Sequence, residues 1–340
     1  MHDTQLPTLK AKDFSSDQDI RWCPGCGDYA ILKAVQKTLP NLDKAKEDYV
    51  FVSGIGCAAR FPYYMNTYGL HSIHGRAPAF ATGIKLANPE LDVWLVSGDG
   101  DLLSIGGNHT MHTMRRNVDI NILLLNNRIY GLTKGQYSPT SEFGKKTKST
   151  PLGSPDYPVN PLIWSIGAGC TFVARCIDID VKHIEQLMTR AAAHRGTSFV
   201  EIYQDCNIFN HQTWFYASQK DGKKTNTLLL EHGKPMIFGE DSEKGLRMNG
   251  TKLEVIELGN GVTESDVLLH DETDRGLAFM ISQLSYPDFP EPLGVIYCSD
   301  EQDTYDNVVH KQIRQAIEDR GKGDLEKLIN EGDTWVVEDD

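Results

Sequence analysis

No apolar run in this 340-residue chain approaches the roughly 20 residues that a membrane-spanning helix needs, so no membrane role is expected. A basic surplus is also missing: 34 Lys and Arg stand against 47 Asp and Glu, for a formal charge of −13. Nucleic acid, which calls for a basic face, is thereby excluded as the main partner. The opening MHDTQLPTLKAKDF has no apolar core of a signal peptide, which makes the cytoplasm the expected compartment. There the seven cysteines read as thiols or metal ligands, not as disulfides. The chain has no internal repeat. Gly54-Ile55-Gly56 lacks the third glycine of a dinucleotide fingerprint.

What is present is the composition of a soluble globular protein, 40% hydrophobic and 24% charged. Its length would hold one large domain or two modest ones. The most informative stretch runs from Val93 to Gln136. An apolar run at 93–96 ends in Ser97-Gly98-Asp99-Gly100-Asp101, and a second at 120–125 ends in Asn126-Asn127. Between them lies a segment of helical spacing, long enough for a crossover between two buried parallel strands. Such a unit presents ligands at the carboxyl ends of its strands, where Asp99 and Asn127 fall. A hard divalent cation on a diphosphate suits that placement: Asp99 supplies charge, Asn127 a neutral oxygen, and the glycines flanking Asp99 let backbone approach phosphates. GDG followed, after 25 residues, by NN resembles the motif of thiamine diphosphate enzymes. That resemblance implies Mg²⁺ held by Asp99, the Asn127 side chain and the Ile129 carbonyl, with Gly98, Gly100 and Asp101 near the diphosphate.

Along the chain, a polar leader (1–20) precedes Arg21-Trp22-Cys23-Pro24-Gly25-Cys26-Gly27-Asp28. Asp28 is placed to N-cap a helix whose stripe is Ile31, Leu32, Val35 and Leu39, and Pro40 ends it. A short buried strand at 48–52 stops at Ser53-Gly54-Ile55-Gly56-Cys57. His71-Ser72-Ile73-His74-Gly75-Arg76 then leads into a small-residue helix. After the central unit, 137–160 carries no periodicity and reads as a long loop. Helix at 161–168, strand at 171–174, helix from Asp180 and strand at 198–203 follow. Strand and helix alternate over 21–206, so the expected fold is α/β, a doubly wound parallel sheet. Residues 21–210 are expected as the cofactor-binding domain. Residues 211–340 are expected as a C-terminal extension, a lid or partner-docking region, with a strand at 252–258 and helices at 273–285 and 304–318.

Cys23 and Cys26 lie on a glycine-flanked loop where packing value is small, and Cys57 and Cys206 each stand beside a strand end. Cys170, Cys176 and Cys298 read as core fillers. Four thiolates suit zinc or an iron-sulfur cluster. A second local CxxC or HxxxH pair, usual in structural zinc sites, is absent, and the gaps of 2, 30 and 148 residues need a folded sheet to close them. A thioredoxin-type dithiol fits poorly, because no strand precedes the CxxC. A [4Fe-4S] cluster is the reading adopted. Thiamine diphosphate stabilises the carbanion left when a bond beside a carbonyl breaks. A one-electron cluster beside it points to oxidative decarboxylation of a 2-oxo acid, with a ferredoxin-type acceptor in place of NAD.

CPGCG, GIGC, HGR, GDGD, NNxIYGLTKGQ and the late QDC, in this order, resemble the β subunits of 2-oxoacid:ferredoxin oxidoreductases, and most nearly the 2-oxoglutarate type. The resemblance covers about residues 20–210. It implies Cys23, Cys26, Cys57 and Cys206 as cluster ligands. Around the cofactor it implies Ile55, Gly56, Cys57, Ala58, His74, Gly75, Gly100, Asp101, Gly131 and Leu132. It also implies Lys134 at a substrate carboxylate, coenzyme A as co-substrate, ferredoxin as acceptor, and an α subunit that brings the catalytic glutamate, so that the chain alone would be nearly inactive. Arg76 is a weaker candidate for an anionic group, and His71, His109 and His112 are taken as structural. Pyruvate or another 2-oxo acid, a non-oxidative thiamine enzyme and a zinc-stabilised interaction module stay open as alternatives.

Overall fold

The computed structural model describes residues 8–338. Its main strands form where β-branched and aromatic residues run together. They are β1 (Tyr49–Ser53), β2 (Tyr68–His71), β3 (Asp92–Gly98), β4 (Asn121–Asn126), β5 (Phe172–Ile177), β6 (Ser198–Tyr203), β7 (Thr227–Leu230) and β11 (Glu291–Cys298). They lie in one sheet in the order β2-β1-β3-β4-β6-β5-β11-β7. The first six run parallel, and β11 joins antiparallel to β5 and parallel to β7.

Alternation along the strands feeds two cores. Val50, Val52, Leu95, Ile122 and Leu124 face one side, where α2 (Ala77–Ala87), α3 (Gly107–Arg115), α4 (Pro161–Gly167) and α8 (Arg275–Ile281) pack. Tyr49, Phe51, Trp94, Val96, Leu123 and Leu125 face the other, against α1 (Asp28–Thr38) and α5 (Val181–Ala193). The mostly parallel, doubly wound sheet expected from sequence is thus present.

The helix expected from Asp180 is α5, capped by the Asp180 side chain accepting the His183 N–H, but Asp28 does not cap α1. Gly27 takes the N-cap position because a Cβ there would stand 1.9 Å from Asp178 Oδ2, and Asp28 is buried in the first turn. The sequence reading also misses β2, a 3₁₀ turn at Ala58–Tyr64, and the strands β7 and β11. Pro292 and Gly294 hide β11, since both residues normally mark strand breaks. Residues beyond 210 therefore supply two strands of the main sheet. They also form the short helices α6 (Phe215–Ser218) and α7 (Lys220–Asn226), a small antiparallel sheet of β8 (Ile237–Phe238), β9 (Lys244–Asn249) and β10 (Lys252–Glu257), and the terminal α9 (Tyr305–Arg320) and α10 (Leu325–Ile329).

A buried ionic centre fastens β11. Arg175 on β5 meets Glu201 on β6 at 2.8 Å and Glu291 on β11 at 3.0 Å, and the Tyr203 hydroxyl donates to Glu291 at 2.9 Å.

Candidate functional site

The parallel run β1, β3, β4 and β6 brings four strand ends to one edge, and each is followed by a loop that carries polar or sulfur side chains. Asp101, almost fully buried, ties two of these loops together. Its Oδ1 accepts the Ile55 N–H at 3.1 Å, the Gly75 N–H at 2.7 Å and a contact from His74 Nδ1, while Oδ2 accepts the Ser97 hydroxyl at 2.7 Å. Gly54 permits this approach, since a Cβ there would fall 2.0 Å from Asp101 Oδ2. Gly100 has a steric reason of its own. Its Cβ would collide with the Tyr130 ring at 2.2 Å, and Tyr130 donates its hydroxyl to the Gly100 carbonyl at 3.0 Å.

Asp99 is buried, and its Oδ2 accepts from Thr140 Oγ1 at 2.6 Å and from Ser138 Oγ. Burial pushes its carboxyl up to about 6, with the two hydroxyls pulling the other way. Among the described residues no cationic side chain pairs with it. A buried carboxylate ringed by hydroxyl and amide oxygens fits a hard divalent cation. Asn126, not Asn127, shares a partner with Asp99: Thr140 Oγ1 is also 2.9 Å from Asn126 Oδ1. Asn127 turns its Nδ2 to Gln204 Oε1 at 2.8 Å, and its Oδ1 accepts the Ile129 N–H at 3.1 Å. Ser138 and Thr140 come from the long loop read as featureless, where no sequence signal marked them.

Cys23, Cys26, Cys57 and Cys206 line one cavity of about 190 Å³. Asp28, Asn127, Gly131, Leu132, Lys134 and Gln204 share its wall. Gly131 lies directly over it, since a Cβ there would stand 3.5 Å from the Cys57 sulfur and 3.6 Å from that of Cys206. Gln204 Nε2 approaches Cys26 Sγ at 3.3 Å. Burial, with the Asp28 charge adding to it, pushes the Cys57 thiol up to about 12, and Cys26 and Cys206 are raised as well. Thiols so held stay protonated until a soft metal displaces the protons, and four sulfurs from three loops in one pocket fit an iron-sulfur centre. Lys134 adopts φ +76° at this cavity, where the loop from Tyr130 to Gln136 closes on itself. His74, held to Asp101, stands across from the Tyr130 ring with centroids 6.5 Å apart.

Residues 54–202 match the family described as thiamine pyrophosphate enzyme, C-terminal TPP binding domain. The chain is 48% identical to the 2-oxoglutarate oxidoreductase subunit KorB of Mycobacterium tuberculosis, over 97% of this chain and 89% of that one. It belongs to the β subunits of the 2-oxoacid:ferredoxin oxidoreductases, 2-oxoglutarate type. The β subunit of 2-oxoacid:ferredoxin oxidoreductase 1 from Aeropyrum pernix is also 48% identical, over 56% of this chain and 59% of that subunit. In structure the β subunit resembles the 2-oxoglutarate:ferredoxin oxidoreductase from Magnetococcus marinus solved with 2-oxoglutarate, coenzyme A and succinyl-CoA bound. The TM-score is 0.76 at 33% identity, covering 96% of this chain and 97% of that one.

Sequence reasoning on the β subunit overlooked Asp28 and Gln204 as neighbours of the cysteines, and Asp101 as the brace of two loops. Asp28 looked like an ordinary cap, and a residue that works through backbone N–H groups leaves no pattern in a single sequence.

Proposed function

We propose that this chain is the β half of an enzyme that decarboxylates 2-oxoglutarate oxidatively to succinyl-CoA and CO₂ and passes the electrons to ferredoxin in the cytoplasm. Asp99, Asn127 and the Ile129 carbonyl would hold Mg²⁺. Ile55, Gly56, Cys57, Ala58, His74, Gly75, Gly98, Gly100, Asp101, Gly131 and Leu132 would surround thiamine diphosphate. Cys23, Cys26, Cys57 and Cys206 would hold a [4Fe-4S] cluster. Thiamine diphosphate supplies an electron sink for the bond that breaks, and the cluster supplies one-electron transfer out of the site.

This chain's own residues bind, orient and shield. Asp101 fixes the Ile55 and Gly75 backbone and sets the tautomer of His74, whose other nitrogen is left for a ligand. Lys134 offers a cation for the distal carboxylate of a dicarboxylic substrate. The catalytic glutamate would come from the α subunit.

One observation carries this reading. The turn after β4 spans both centres: Asn126 shares Thr140 with Asp99, Tyr130 bonds Gly100, and Asn127, Gly131 and Lys134 line the cysteine cavity. An oxidation beside an electron outlet needs such proximity.

The test is anaerobic co-expression with the α subunit, iron analysis, and ferredoxin reduction with coenzyme A over a panel of 2-oxo acids. About four iron atoms per β chain and a strong preference for 2-oxoglutarate are expected. Lys134→Ala should raise KM for 2-oxoglutarate at least about ten-fold, the loss of one charge-assisted contact. Equal rates with pyruvate in both proteins would overturn the substrate assignment. An iron-free complex would overturn the electron route. The β chain alone should not turn over.

A further inference from the structure

On the rim away from the cysteine cavity, the end of β11 meets the end of α5. His194 follows α5, Cys298 closes β11 and Asp300 lies two residues beyond. Their ligating atoms all lie within 4.8 Å of one another. Nδ1 of His194 is 3.3 Å from Asp300 Oδ1 and 4.0 Å from Cys298 Sγ.

The hydrogen bonds behind the ring decide its tautomer. Asn117 Oδ1 must be an acceptor, because it takes the Thr197 N–H at 2.9 Å, while its Nδ2 donates to the Gln302 carbonyl at 3.0 Å. Thr171 Oγ1 therefore donates its single proton to Asn117 Oδ1, at 2.7 Å. His194 Nε2, at 2.8 Å from Thr171 Oγ1, must then be the N–H donor. Nδ1 faces a carboxylate oxygen and a sulfur, and at 3.3 Å from Asp300 Oδ1 it needs either a second ring proton or a metal ion between the two.

We propose that His194, Cys298 and Asp300 form a zinc site, distinct from the catalytic edge. The donor set of one nitrogen, one sulfur and one carboxylate oxygen is that of zinc and excludes Mg²⁺ or Ca²⁺. Tetrahedral zinc with ordinary bond lengths separates such ligand atoms by roughly 3.3–3.8 Å, close to what is found before any metal draws them in. The Nε2–H bond to Thr171 is the support that metal-bound histidines use to hold ring orientation. On binding, the Cys298 proton leaves to solvent. Asp300 is largely exposed, so water can enter the fourth position. The ion would clamp the last strand of the sheet to the α5–β6 connection.

The experiment uses the full chain co-purified with its α subunit, incubated with zinc sulfate and desalted. Elemental analysis should give about one zinc per β chain, and zinc K-edge X-ray absorption should show a single sulfur near 2.3 Å with nitrogen or oxygen near 2.0 Å. Cys298→Ala should abolish this zinc. Asp300→Asn changes an exposed side chain and leaves folding intact, and it should weaken zinc at least about ten-fold. Less than a tenth of an equivalent of zinc in the wild type would overturn the proposal. So would zinc bound by three or four sulfurs, or zinc unchanged by both substitutions.

Discussion

Asp99 carries a conflict: a carboxylate taken from water with hydroxyls and backbone N–H groups for company and, among the described residues, no cationic side chain. Its pKa is raised to about 6, so in the metal-free protein the folded state holds a proton that the unfolded chain has already lost between about pH 4 and pH 6. Stability from this group therefore falls as pH rises through that window, and the penalty is complete above it. Asp99→Asn should stabilise metal-free protein at pH 7.5 by about 2 kcal/mol, an advantage that fades near pH 4. Urea denaturation at the two pH values tests this. The same substitution should abolish Mg²⁺-dependent thiamine diphosphate binding, measured by calorimetry. A variant that was less stable at pH 7.5 and still bound the cofactor would contradict both halves.

Among elements, β11 has the clearest consequence. Its Glu291 shares one arginine with Glu201 of β6, all three side chains being buried. Arg175→Met should cost about 3–5 kcal/mol, because two carboxylates are left in the interior without their cation. The triple substitution Arg175→Met, Glu201→Gln and Glu291→Gln should recover most of that loss in urea midpoint. If it recovered nothing, the arginine would be acting through packing and not through charge. The elements differ in how legible they were in the sequence. Strands β1, β3, β4 and β6 announce themselves as apolar runs ending in small or polar residues, and the GDG and NN turns follow. Strand β11 contains a proline and a glycine and draws its reason for burial from Arg175, more than a hundred residues away. Ser138 and Thr140 likewise matter only because the fold brings their loop over Asp99. Cys298 read as filler because its histidine neighbour is remote in sequence.

At the scale of the molecule, one sheet edge holds the buried Asp99 carboxylate and the four-cysteine cavity joined by one turn, while the opposite half is completed by the C-terminal strands. The four cysteines and their meeting in one place were legible from sequence, but the neighbours Asp28 and Gln204 that share their cavity were not. The order of the strands has a further consequence for synthesis on the ribosome. Strand β5 is made long before β11, which must slot between it and β7. Until about residue 298 has left the exit tunnel, the edge of a strand that is fully buried in the finished fold stays unpaired, and Arg175 has only one of its two carboxylates. Such an edge invites pairing with other chains. Chains terminated at residue 290 should therefore aggregate during translation instead of yielding a soluble catalytic half, which sedimentation of ribosome-released products would reveal. A nascent β subunit thus waits for its own β11, or for a chaperone that shields β5, from the emergence of residue 177 to that of residue 298.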